Sequence, residues 1–149
     1  MRVWAGLYAM VWVVLVELLV AIDPVPPGWL IYLHAGLGCL IIVLAVSNYV
    51  QVRATKAPGR TKRTVRATLG LSVLMAALGF WLWLNLGAST AVAFGYTVWD
   101  LVHVLHVLNA IAIIAQAASA ATAYDMWEEK EFAVETRPGE VPPLPAPQS

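Results

Sequence analysis

The chain has 149 residues, is 60% hydrophobic and only 12% charged, and carries a formal net charge of zero with a mean hydropathy of +0.74. Average proteins hold about 25% charged residues, so this composition argues against a soluble domain. The basic residues cluster between long apolar runs, which membrane topology explains better than a nucleic-acid partner does. A lone cysteine excludes a disulfide framework within one chain, a paired-thiol redox motif and a cysteine-based zinc site.

About 20 apolar residues cross a bilayer core. Four stretches have that length, at about 3–22, 29–50, 67–86 and 98–124. They predict an all-α integral membrane four-helix bundle over residues 1–124. The first stretch contains Glu17 and has no small-residue cleavage pattern after it, so it reads as a retained span rather than a secretory signal. Asp23-Pro24-Val25-Pro26-Pro27-Gly28 follows as a turn, because its prolines cannot continue a helix. In the second stretch Cys39 lies in an apolar run and reads as a small buried hydrophobe.

The connection 51–66 holds six of the nine basic residues: Arg53, Lys56, Arg60, Lys62, Arg63 and Arg66. Lys and Arg gather in cytoplasmic loops, which puts both termini in the cytoplasm of a multi-pass cell-membrane protein. The third connection, 87–97, is uncharged and rich in small residues. After Tyr124 the chain is acidic and then Pro-rich, and residues 125–149 are expected to form a disordered cytoplasmic tail.

The spans contain few groups that can ionise near neutrality or hold a metal: Glu17, His34, Asp100, His103 and His106, with Asn85 and Asn109 as neutral companions. At 1.5 Å per residue, Glu17, His34 and His103 lie roughly 7–9 Å below the outer ends of their spans and His106 roughly 13 Å. Ionisable groups in a membrane are costly and normally face partners inside the bundle. A layer of three histidines and a carboxylate therefore suggests a ligand. A lone transition metal would accept imidazoles and Glu17. A b-type haem would need two opposed imidazoles, His34 from the second span and His103 or His106 from the fourth. The small residues Ala35, Gly36 and Gly38 supply room for a macrocycle, although small residues also promote helix packing in lipid. Asp100, near Thr97 and Trp99, reads as a helix-start residue.

The run His34-Ala35-Gly36-Leu37-Gly38-Cys39-Leu40-Ile41-Ile42-Val43-Leu44-Ala45-Val46 resembles the second helix of the haem A synthase family. A basic inner loop, a third span with Leu69-Gly70-Leu71 and Leu78-Gly79, and His106-Val107-Leu108-Asn109-Ala110 follow in the family's order. The resemblance covers about residues 28–124 and implies His34 and His106 as axial ligands of a bound haem b. It further implies haem O as substrate, its C8 methyl being oxidised to a formyl group for a terminal oxidase. A haem O synthase or that oxidase would be a natural partner.

The chain departs from the family pattern in three ways. It lacks the glutamate before the second-helix histidine and the arginine after it. It has no outer cysteine pair. It also holds four spans where typical members hold eight, so a homo-oligomer is expected to rebuild the missing interface. Glu17, at the histidine depth, is the candidate replacement for the missing glutamate as catalytic residue, with His103 on the substrate side. Two other readings use the same residues: a non-enzymatic b-type cytochrome passing electrons, and a structural or assembly subunit of a respiratory complex whose histidines only bond helices together.

Overall fold

A computed structural model of the protein describes residues 3–21 and 28–135, with side chains through residue 131. It consists of α1 (Val3–Val20), α2 (Gly28–Ala54), α3 (Gly59–Trp83), a hairpin of β1 (Ala91–Ala93) and β2 (Tyr96–Thr97), and α4 (Val98–Glu135). All four helices are long and apolar enough to cross a membrane. Their spanning stretches are largely apolar, as expected of helices bathed in lipid. Trp12, Leu19, Val43, Val50, Val73 and Leu105 are among the large side chains on the outward faces.

α1 packs on α2 and α4, and α3 packs on the same two, so α2 and α4 stand diagonally across the bundle. One buried cluster draws Leu7 from the start of α1, Val52 from the end of α2, Val65 from the start of α3 and Ala121 from far along α4. Successive helices therefore run antiparallel, and the start of α1 shares one end of the bundle with the far part of α4. We call this basic end inner, following the charge of its loop. A second cluster at mid-bundle joins Met10, Val14, Ile41, Ala45, Met75, Ala110, Ile113 and Ala117. Alanines at these contacts let the backbones approach, the main route to dispersion energy where lipid removes the hydrophobic drive.

Several polar side chains in the interior donate to backbone carbonyls. The Asn48 amide donates to the Gly6 carbonyl at 3.1 Å, tying α2 to α1, and the Asn109 amide donates to the Leu71 carbonyl at 2.9 Å, tying α4 to α3. Thr68 and Ser72 donate their hydroxyls one turn back along α3, to Thr64 and Thr68 carbonyls at 3.0 and 2.9 Å.

The helices at the inner end are longer than the hydropathy pattern indicates. The basic connection predicted at 51–66 shrinks to Thr55–Pro58 between two helices. α4 continues through Asp125–Glu135, eleven residues beyond the expected end of the span, so the first part of the expected tail is helix; residues 136–149 lie outside the described residues. Charged residues are good helix formers, and hydropathy marks only where the apolar stretch stops. The expected turn at 23–28 lies outside the described residues except for Gly28, which begins α2.

The outer connection holds a hairpin that composition alone did not show. Ala93 pairs with Tyr96 across Phe94 and Gly95, whose φ values of 54° and 83° are those of a type I′ turn, the form whose twist matches paired strands. Thr97 and Asp100 then start α4 reciprocally. The Thr97 amide and hydroxyl donate to Asp100 Oδ2 at 2.8 and 2.7 Å, and the Asp100 amide donates to Thr97 Oγ1 at 3.3 Å. Gly87 is required twice: its φ is +79°, and a Cβ there would meet Val98 Cβ at 2.8 Å.

Candidate functional site

Three helices deliver one polar layer above the mid-bundle core. Glu17 projects inward from α1 and is only 4% exposed. His34 comes from α2, and its Nδ1 lies 3.0 Å from Glu17 Oε1. The carboxylate oxygen sits off the ring N–H direction, which makes this a close electrostatic contact rather than a well-aligned hydrogen bond. His106 arrives from α4, and its ring centroid is 6.1 Å from that of His34, with the planes 53° apart.

His106 reaches this position because α3 has no side chain at Gly79. A Cβ there would stand 3.2 Å from His106 Cε1 and 3.9 Å from Nδ1. That Nδ1 is buried near the Met75 carbonyl without an aligned hydrogen bond. Both Nδ1 atoms thus turn toward neighbouring helices, one to the α1 carboxylate and one to the α3 backbone, which leaves Nε2 as the free nitrogen of each ring. No described residue outward of Glu17, His34, Gly79 and His106 is buried, so the packed core ends at this layer.

The other sequence candidates fall elsewhere. His103 is exposed, with its ring edge-on to Trp99 at 5.1 Å. Asp100 caps α4, Asn109 joins α4 to α3, and Asn85 sits exposed in the turn after α3 with φ of 54°. Cys39, read as buried, is exposed on the outward face of α2. Ala35 and Gly36 are also exposed, and a Cβ at Gly36 or Gly38 would meet nothing within 4 Å. The room expected beside His34 therefore faces outward, and the space used inside the bundle is the one at Gly79. Sequence reasoning did not assign Gly79 to the site; its signal was a glycine midway along an apolar span, where a helix otherwise disfavours it.

The donor set limits what could bind. Among the described residues, no three His, Cys, Asp or Glu side chains converge as a ligand group for a metal ion. A lone ion would find two imidazoles and no third protein donor, since Glu17 is engaged at His34 Nδ1. Two imidazoles suit a metal that brings its own equatorial ligands, as a porphyrin does. The two imidazoles, 6.1 Å apart at their ring centroids, are the side chains that would hold such a group. A carboxylate at the far nitrogen is the usual partner of a ligating histidine. The residues present fit haem by their chemistry: two neighbouring imidazoles, with a carboxylate beside one of them.

No protein-family model, curated protein or solved structure matches the chain. What the fold establishes is an all-α, multi-pass four-helix membrane bundle.

Proposed function

We propose that this chain is a membrane haem protein in which His34 and His106 hold one b-type haem between α2 and α4, and that its activity is of the haem A synthase type. The observation that carries the haem reading is the approach of the two imidazoles at 6.1 Å across the bundle diagonal, with Glu17 behind His34. The synthase reading rests in addition on the resemblance of the helix order and of the segments around His34 and His106.

Bound haem would supply the redox chemistry of its iron, which side chains cannot provide. The chain's own residues have narrower tasks. Glu17, whose charge lies beside His34 Nδ1, would favour the tautomer that leaves Nε2 as the ligand nitrogen. Gly79 admits the His106 ring. The clusters beneath the layer keep water from the inner side, while the outer side carries no buried cover and would be the way in for a porphyrin or for haem O. His103, exposed on α4 at that end with Trp99 edge-on against it, would meet an arriving substrate. Oxidation of a methyl to a formyl group also needs an oxygen atom and an electron acceptor from outside the chain. Placement in the cell membrane, assembly as a homo-oligomer, and contact with a haem O synthase or terminal oxidase belong to this same reading.

One observation favours a second reading, a b-type cytochrome that only transfers electrons. Glu17 touches a would-be ligand histidine, a positioning place, and not an open space where it could move protons to substrate. A reduced-minus-oxidised spectrum of the purified protein, with pyridine haemochrome analysis, tests the shared part. A b-type signal lost in His34→Ala and His106→Ala is expected. Conversion of supplied haem O to haem A separates synthase from cytochrome. Protein that folds stably without taking up supplied haem would sink both and leave a structural or assembly subunit.

A further inference from the structure

Lys and Arg at the inner end have a topological explanation, since such residues gather in cytoplasmic loops. That explanation requires only that they be present. It does not require them to surround a cavity, and here they do. Tyr49 and Arg53 from α2, with Lys62, Arg63 and Arg66 from α3, line a cleft of about 320 Å³ whose remaining walls are buried valines. Lys62 is fixed in place: its Nζ donates to the Thr55 carbonyl at 2.6 Å and lies 3.4 Å from the Arg53 carbonyl, closing off the end of α2. Arg53, Arg63 and Arg66 are exposed around it.

Among the described residues no carboxylate neutralises this charge. Among the described residues the one contact between a carboxylate and a basic side chain is Glu17 with His34. Asp125, Glu128, Glu129 and Glu131 occupy the same end of the bundle on α4, yet none pairs with the four basic groups of the cleft. Four cations around a small cavity with an apolar wall favour an anion that brings an apolar part.

We propose that the cleft binds the phosphate of an anionic phospholipid headgroup from the inner leaflet. Guanidinium groups suit a phosphate because their forked donors match its oxygens, and basic pockets between transmembrane helices on this side of a membrane characteristically hold anionic headgroups. A free phosphate ion shares that chemistry. The lipid is favoured by the valine walls and by Val50, which is 60% exposed on α2 between the lining residues and would lie along an acyl chain. This inference is independent of the haem reading.

The test uses the full-length protein in detergent, titrated separately with dioctanoyl phosphatidylglycerol, dioctanoyl phosphatidylcholine and inorganic phosphate, with binding read by native mass spectrometry and thermal shift. Phosphatidylglycerol should bind selectively. Arg63→Gln with Arg66→Gln should weaken it about tenfold or more, at the strength expected for each basic residue near an anionic headgroup. Arg63→Lys with Arg66→Lys keeps the charge and should weaken binding less than the glutamine pair, the remaining loss reflecting the missing forked donors. Lys56→Gln with Arg60→Gln removes the same charge from the same end of the bundle outside the cleft and should leave binding unchanged. The proposal is overturned if the two lipids bind alike, if the outside pair weakens binding as much as the cleft pair, or if inorganic phosphate binds as tightly as phosphatidylglycerol.

Discussion

Glu17 of α1 and His34 of α2 meet at 3.0 Å inside the bundle, the one pairing of a carboxylate with a basic side chain among the described residues. A buried carboxylate is expensive unless paired, so this contact explains how Glu17 can be 4% exposed in an apolar span. It also draws the Nδ1 edge of the His34 ring toward α1. On the haem reading, Glu17→Gln should leave the helices intact, weaken haem retention by about 10–100-fold, and raise the haem midpoint potential, because removing the carboxylate's charge beside the ligand stabilises oxidised iron less. Haem titration and redox potentiometry on the variant check this. Unchanged affinity together with an unchanged potential would rule out a positioning role.

Gly79 and Gly70 lie on the same helix but should respond in opposite ways. A Cβ at Gly70 meets nothing within 4 Å, so Gly70→Ala should stabilise α3 by up to about 1 kcal/mol through helix propensity. At Gly79 the new side chain meets the His106 ring at 3.2 Å. Gly79→Val should therefore destabilise by about 1–3 kcal/mol through overpacking and displace His106. Unfolding of both variants in detergent gives the comparison, and equal effects would mean that His106 does not rest against Gly79.

Asn48 and Asn109 each join two helices through a backbone carbonyl. Hydrogen bonds of this kind in membranes are worth about 0.6 kcal/mol on average and seldom above about 1.7. Asn109→Ala should fall in that range, and Asn48→Ala near its upper end because it also empties space at a fully buried position. Reversible unfolding in mixed micelles measures both. A loss of several kcal/mol at Asn109 would point to a role beyond the bond to Leu71.

Thr97 and Asp100 form a reciprocal cap, so their effects should not add. Thr97→Val and Asp100→Ala are each expected to cost about 1 kcal/mol, with the double variant little worse than either alone. A double-mutant cycle on thermal unfolding decides this; full additivity would show that the two residues act separately.

The number of spans, their order and the basic character of one loop follow from the sequence, because crossing a hydrocarbon layer sets a minimum apolar length that hydropathy reports directly. The polar layer was legible for a related reason: depth along a helix is a count of residues, so Glu17 and His34 could be placed at one level without knowing which way they pointed. The capping role of Asp100 was similarly visible in its distance from Thr97.

Azimuth around each helix was not legible. In lipid both faces are apolar, and the periodicity that marks a buried face in water is absent. Only the packed bundle decides that His106 and not His103 meets His34, that Gly79 and not Gly36 makes room inside, and that Cys39 faces outward. The same holds for the cleft at the inner end. The sequence by itself determined a basic loop, but whether its cations surround a cavity or scatter over a surface depends on how α2 and α3 pack.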